Sequence, residues 1–573
     1  MFGRWMAFLL AATFLASSTA VQAGDWGDDD HGGIRHVLLI SIDGMHSLDF
    51  VNCANGVAGA NGGKPYCPNL AALGKNGVNY LNASTSRPSD SFPGLMAIVS
   101  GGSPRTVGAF YDVAYDRVLA PPTVTTGNGV AGGTCTPGVA NGTTTEYEEG
   151  IDKDQTLLSG GGNFSIGSID PAKLIRDPFN NCKPVYPWNF VRTNTIFGVV
   201  HQAGGFAAWS DKHPAYSSVA GPGDGSNLDD YYAPEINSNV VPLNVTTPEG
   251  MKCNPIPDPT VTSTSQYTDS FQEIRCYDTL KVNAILNEIN GMTLMGNAHA
   301  PVPTLFGMNF QAVSVGQKLI EKKVGTGGYT DAAGTPTPLI QAQIQFVDDS
   351  IGEMVSQLKQ RGLYNSTLIV ITAKHGQSPI DPNRFFPIPG HSGNNGNSPA
   401  TILDGLGLIP SSESPSNPTG IGPTEDDVSL LWLNPGSDIP SAVKALEENA
   451  SQAGIGEIFY GPSLTTMFNK PGIPPQGDPR TPDIIVTPNY GVVYTGSSKK
   501  QAEHGGFSHD DTNVILLVSN PSFRKATVNS PVQTAQVAPT ILKALGLNPY
   551  LLQSVQIEGT PVLPAVPFRS DER

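Results

Sequence analysis

The chain has 573 residues, with 33 Lys and Arg against 50 Asp and Glu and a formal net charge of −17. That acidity argues against a partner with a phosphate backbone, so binding of duplex nucleic acid is not expected. Only 14% of residues are charged, while Gly (64) and Pro (49) are abundant; this excludes a charge-rich disordered chain and fits a loop-rich globular enzyme of more than one domain.

Residues 1–23 read as a secretory signal: Arg4 supplies a positive start, residues 5–16 an apolar core, and Val21-Gln22-Ala23 a small-residue cleavage site. That core is too short to span a bilayer, and no later segment offers about 18 uninterrupted apolar residues. The mature chain is therefore expected to be secreted or periplasmic, with no membrane span. Residues 24–34 form a polar leader expected to be flexible.

Residues 36–44 are an apolar run closed by Asp43-Gly44, the pattern of a strand buried on both faces of a parallel sheet. Residues 68–77 read as a helix with a Gly stop. Next comes Ser91, directly before Phe92-Pro93 and a helix-compatible apolar run. This places its hydroxyl at a helix N-cap, where unpaired N–H groups and the positive end of the dipole favour a phosphate-like anion. Residues 105–190, rich in Gly, Thr and Pro, read as a surface insertion. Further strands are expected at 206–211, 304–310, 366–372 and 514–518. A helix is expected over 339–361, with Ile344, Val347, Ile351, Met354 and Leu358 at helical spacing.

Residues 380–480 break this alternation. Pro-rich loops there surround a strand (428–433), a helix (441–453) and a strand (455–460), which read as a small α+β cap. The rest, 35–379 and 481–573, reads as an α/β core: a parallel sheet with helices on both faces. In such sheets the site forms beyond the carboxyl ends of the strands, where Asp43 and Lys374-His375 both fall.

Six cysteines in an exported chain imply up to three disulfides. Sequential pairing closes the shortest loops, but six cysteines allow 15 connectivities and the sequence does not choose among them.

Three polar clusters follow expected core strands: Asp43-Gly44, Lys374-His375-Gly376 and His504-Gly505-Gly506. Each alone is more often a turn or a loop histidine. Together with Ser91 they suggest carboxylate and imidazole ligands for a zinc-like cation, a hydroxyl nucleophile, and helix N–H groups holding an anion.

These clusters, with Pro68-Asn-Leu, Ser89-Asp90-Ser91-Phe92-Pro93-Gly94, Ile98-Val-Ser-Gly, Arg480-Thr-Pro-Asp-Ile-Ile-Val and Ala538-Pro-Thr-Ile-Leu, occur in the order seen in the alkaline phosphatase superfamily. The best resemblance is to its type I phosphodiesterase/nucleotide pyrophosphatase branch, over roughly residues 35–120, 195–380 and 480–548. The resemblance implies an alkaline phosphatase-like fold and hydrolysis of a small anionic phosphate ester or diester through a covalent phospho-serine. It also implies divalent cations, usually two zinc ions. By motif match Ser91 is the nucleophile, and Asp43, His375 and His504 are metal ligands.

The chain departs from this pattern at four positions. Lys374 stands where the family has the Asp of Asp-His-Gly. Gln311 and Val315 stand where it has an Asp and a His. Gly94 takes the place of a substrate-binding Asn. An ammonium repels a cation but can hold a phosphoryl oxygen or assist Ser91, so Lys374 is a candidate catalytic residue; Gln311 can offer a neutral oxygen to a metal. One ion, two, or a catalytically silent anion- or partner-binding member all remain open. A sulfatase-like hydrolase is a weaker alternative, because the Arg of the formylglycine motif is missing after Ser91. Asp211, Lys212 and His213 are possible substitute ligands, with a structural role as the simpler reading.

Overall fold

The computed structural model describes residues 33–147, 149–238, 240, 244–253, 267–390 and 396–568. The expected signal at 1–23 and most of the leader lie outside the described residues. Eight strands build the central sheet: β1 (His36–Ile42), β2 (Gly77–Tyr80), β3 (Ala208–Ser210), β4 (Asp230–Tyr232), β5 (Leu305–Phe310), β6 (Thr367–Thr372), β7 (Leu517–Ser519) and β8 (Ala526–Val528). Their spatial order is β8-β2-β7-β6-β1-β5-β3-β4.

The continuous apolar runs become central strands because both faces are covered. Along β1, Val37 and Leu39 enter one buried cluster and Leu38, Ile40 and Ile42 the other. The same alternation holds for Leu368 and Val370 against Ile369 and Ile371 in β6. Helix α1 (Ser91–Ser100) packs on the first face through Phe92, Leu95 and Val99. Helix α2 (Pro338–Gln360) packs on the second through Ile340, Ile344, Val347, Ile351, Met354 and Leu358.

The sheet is mixed rather than wholly parallel. Strand β7 runs antiparallel to both β6 and β2, whereas β1 is parallel to β5 and β6. The cause is the route of the chain. After β6 it leaves the carboxyl edge of the sheet into the cap and re-enters from that same edge, with no crossover helix to reverse it.

The cap boundary at 480 also moves. The three-stranded cap sheet has Ile484–Pro488 in its middle, antiparallel to Ser429–Leu431 on one side and Ile455–Tyr460 on the other. A strand there buries Ile484, Ile485 and Val486 with Trp432 and Leu446 in a third core. Phe110, Tyr111 and Tyr115 from the 105–190 insertion join that core, while Leu119, Tyr147, Ile151, Leu174 and Trp188 of the same insertion pack into the first core of the central sheet. The three disulfides, Cys53–Cys67, Cys135–Cys182 and Cys253–Cys276, are the sequential pairs. Among the described residues no helix is long and apolar enough to cross a membrane.

Candidate active site

The strand order β6-β1-β5-β3 sets four chain segments side by side at one sheet edge: Lys374-His375, Asp43, Gln311 and Asp211. Helix α1 brings Ser91 to the same point. Asp43 is the hub. Its Oδ2 accepts from Gln311 Nε2 (2.6 Å), Asn309 Nδ2 (3.0 Å) and Ser91 Oγ (3.5 Å). Lys374 Nζ is 4.0 Å and His375 Nε2 3.8 Å from that same oxygen.

Lys374 is held more tightly by Asp211, at the end of β3. Its ammonium bonds both carboxylate oxygens of Asp211, at 3.1 and 3.0 Å, and lies 4.0 Å from the centre of the Tyr216 ring. Asp43, Asp211, Lys374 and Ser91 are all buried. A lone Lys there would carry a heavy desolvation cost, and two carboxylates with an aromatic face offset it.

Burial alone would raise the carboxyl pKa of Asp43, but Lys374 and then His375 overcome it and hold the group below its ordinary value. Burial drives His375 the other way, down to about 4 despite the nearby Asp43. His375 is therefore neutral at pH 7. Its Nδ1 donates to the Gly376 carbonyl (2.7 Å), which leaves the Nε2 lone pair facing Asp43. The His504 ring rests on that of His375, 3.9 Å between centres, with its Nδ1 3.6 Å from Asp90 Oδ1.

Three expectations need correction. Ser91 is not the N-cap. Asp90 caps α1, accepting from the Phe92 N–H, and Ser91 is the first helical residue. With Phe92 so engaged, Pro93 lacking a donor, and the Gly94 N–H bonded to the Asp90 carbonyl (2.9 Å), the helix start offers Ser91 a dipole rather than a full N–H cradle. Gln311 presents an N–H to Asp43, not an oxygen to a cation; its own backbone N–H is fixed by Asp278 Oδ2 at 2.8 Å. Gly94 does not face a ligand space, because a Cβ there would collide with the Lys374 carbonyl oxygen. Glycine lets α1 approach the end of β6 and so brings Ser91 to Asp43. We expect Gly94→Ala to destabilise the fold by about 1–3 kcal/mol, read by urea denaturation; an unchanged midpoint would show that this contact relaxes freely.

The donor set does not fit a pair of dications. Asp43 Oδ1 is buried without a hydrogen-bond partner, and the His375 Nε2 lone pair lies near. Beyond these, the Ser91 hydroxyl and the His504 ring, the positions that would complete two sites hold an ammonium, an amide N–H and the apolar Val315. Lys374 supplies one positive charge where the family pattern expects a cation.

Beside this cluster opens a cleft of about 360 Å³ lined by Gln311, Val315 and His504 and by charges of both signs, Lys212, Lys318, Lys499 and Lys500 against Asp112, Glu149, Asp269, Asp426 and Glu503. Lys318 and Lys500 pair with Glu503 across it. Lys318 and Lys500 carry no motif in the sequence that marks them. They come from separate segments, and only the fold gathers them.

The chain matches the family model of the type I phosphodiesterases/nucleotide pyrophosphatases over residues 37–145 and 321–511. It is 25% identical over 210 residues to the bis(5'-adenosyl)-triphosphatase ENPP4 of Bos taurus, and 26% identical over 207 residues to that of Mus musculus. Each match covers 36% of this chain, and the chain spans under two fifths of the length of these curated relatives (39% and 38%). Murine ectonucleotide pyrophosphatase/phosphodiesterase 5 has the same fold, with a TM-score of 0.50 at 15% identity over 90% of this chain and 95% of the other. An inactive variant of that murine protein in complex with AMP matches as well, with a TM-score of 0.50 at 15% identity over 90% of this chain and 96% of the other. The family model covers more than half of the chain, and its two segments contain Asp43, Ser91, Lys374, His375 and His504: this chain belongs to the type I phosphodiesterase/nucleotide pyrophosphatase family, within the alkaline phosphatase superfamily.

Proposed function

We propose that the chain is an exported hydrolase of phosphate esters or diesters that works through a phospho-Ser91 intermediate, with Lys374 supplying the charge that a cation would bring. The observation that carries this reading is the meeting of Ser91 Oγ, Asp43 and Lys374 within 4.0 Å of one carboxylate oxygen. In the first step Ser91 Oγ bonds to phosphorus, the bond to the leaving oxygen breaks, and the serine proton passes to Asp43 Oδ2. The α1 dipole and the Lys374 ammonium oppose the charge on the transferring group. Water then attacks phosphorus, the bond from phosphorus to Oγ breaks, Oγ takes back the proton from Asp43, and the proton that water loses goes to the departed leaving oxygen, so that phosphate or its monoester is released. The bis(5'-adenosyl)-triphosphatase names of the ENPP4 relatives make a nucleotide whose phosphorus carries both an ester and an anhydride oxygen the first candidate. Three disulfides accord with export.

A second reading, a silent anion-binding member, is favoured by one observation: Ser91 and Lys374 are both 0% exposed. Turnover of an aryl phosphodiester, an aryl phosphomonoester and an aryl sulfate by the purified chain separates these readings. The hydrolase reading expects cleavage of at least one phosphate ester and none of the sulfate. Inertness toward all three would leave the silent reading standing.

A further inference from the structure

Away from Ser91 the molecule holds a second concentration of buried charge. His213 and Glu235 each lie three residues past the ends of the neighbouring parallel strands β3 and β4. Asp152 reaches them from the 105–190 insertion. Ligand atoms of the three side chains lie within 4.8 Å of one another, and none of the residues is more than 1% exposed. His213 Nδ1 is 2.9 Å from Glu235 Oε1, and its Nε2 is 3.4 Å from Glu149 Oε2. Both carboxylate oxygens of Asp152 are buried and accept from no N–H or hydroxyl donor; their neighbour is the Glu235 carboxyl. Gly160 makes room for them, since a Cβ there would collide with Oδ1.

The geometry points to a cation site: Asp152, His213 and Glu235 hold one dication of the zinc or manganese type. Two carboxylates and an imidazole suit such an ion better than calcium or magnesium, which prefer oxygen alone. A ligating imidazole commonly gives its other N–H to a carboxylate, and Glu149 is placed to accept it from His213. A dication there would give the buried Asp152 oxygens a partner and offset the charge gathered on the two carboxylates. The ion would fasten the insertion to the sheet edge beside Asp211. The Glu235 N–H already bonds the Leu158 carbonyl (2.9 Å), and Ser238 Oγ the Thr156 carbonyl (3.0 Å).

Elemental analysis of the full chain, purified without chelator, is expected to find about one equivalent of zinc or manganese. Dialysis against chelator should lower the Tm by several degrees, and added zinc or manganese should restore it. Asp152→Asn should hold about tenfold less metal, with a Tm that ignores chelator, whereas His375→Ala should keep the ion. Three results would overturn the proposal: a metal-free wild type whose Tm ignores zinc and manganese, equal metal in Asp152→Asn, or loss of the ion in His375→Ala instead. The last would place a cation at Ser91 and contradict the role given to Lys374 as well. The wild-type measurements decide the matter even if Asp152→Asn does not fold.

Discussion

Lys374→Ala is expected to lower folding stability by about 3–5 kcal/mol and turnover of a phosphodiester by roughly 10²–10³-fold. The ammonium sits between Asp211, at 3.0 Å, and Asp43, at 4.0 Å. Its removal leaves two buried carboxylates facing each other with no cation between them. Urea denaturation reads the first effect, and pairing the change with Asp211→Ala sharpens it. If the loss comes from the orphaned carboxylate, the double variant should recover part of what the single variant lost. A stability change below about 1 kcal/mol together with unchanged turnover would make Lys374 a bystander.

Ser91→Ala carries the second large effect: a loss of turnover of about 10³-fold or more, with little change in stability. The hydroxyl is small, and its hydrogen bond to Asp43 Oδ2 is long at 3.5 Å, so its removal leaves α1 packed through Phe92 and Leu95. Activity should also fall in acid. His375 stays neutral down to about pH 4 because it is buried, and protonating it there would place a cation beside Ser91 and against His504. Linkage has the same direction. The folded pKa lies below the unfolded value of 6.5, so the unfolded state takes the proton more readily. Stability is thus complete above about pH 6.5 and declines as pH falls toward 4.

Much of this site was legible in the sequence because each piece ends a core strand or opens a helix. Apolar runs closed by Asp43-Gly44 and Lys374-His375 locate the carboxyl edge of a sheet, and Phe92-Pro93 with its apolar sequel locates a helix start. What pairwise geometry decides was not legible. Asp211 is one carboxylate at a strand end until the order β6-β1-β5-β3 brings it to Lys374. Ser91 reads as the cap from its place before Phe92-Pro93, and only backbone geometry moves the cap to Asp90. Gly94 resembled a lost substrate contact, although its lack of a side chain is what admits the Lys374 carbonyl. The reversed strand β7 and the cap strand Ile484–Pro488 escaped for a common reason: an apolar run does not state its direction or its sheet.

Ser91 is also where the account is tested most directly. Wild-type protein mixed with an aryl phosphate ester and quenched in acid within the first turnovers should yield a phosphorylated peptide containing Ser91, located by mass spectrometry and missing in Ser91→Ala. Hydrolysis that proceeds with no such adduct, or that persists in Ser91→Ala, would contradict phosphoryl transfer through this serine.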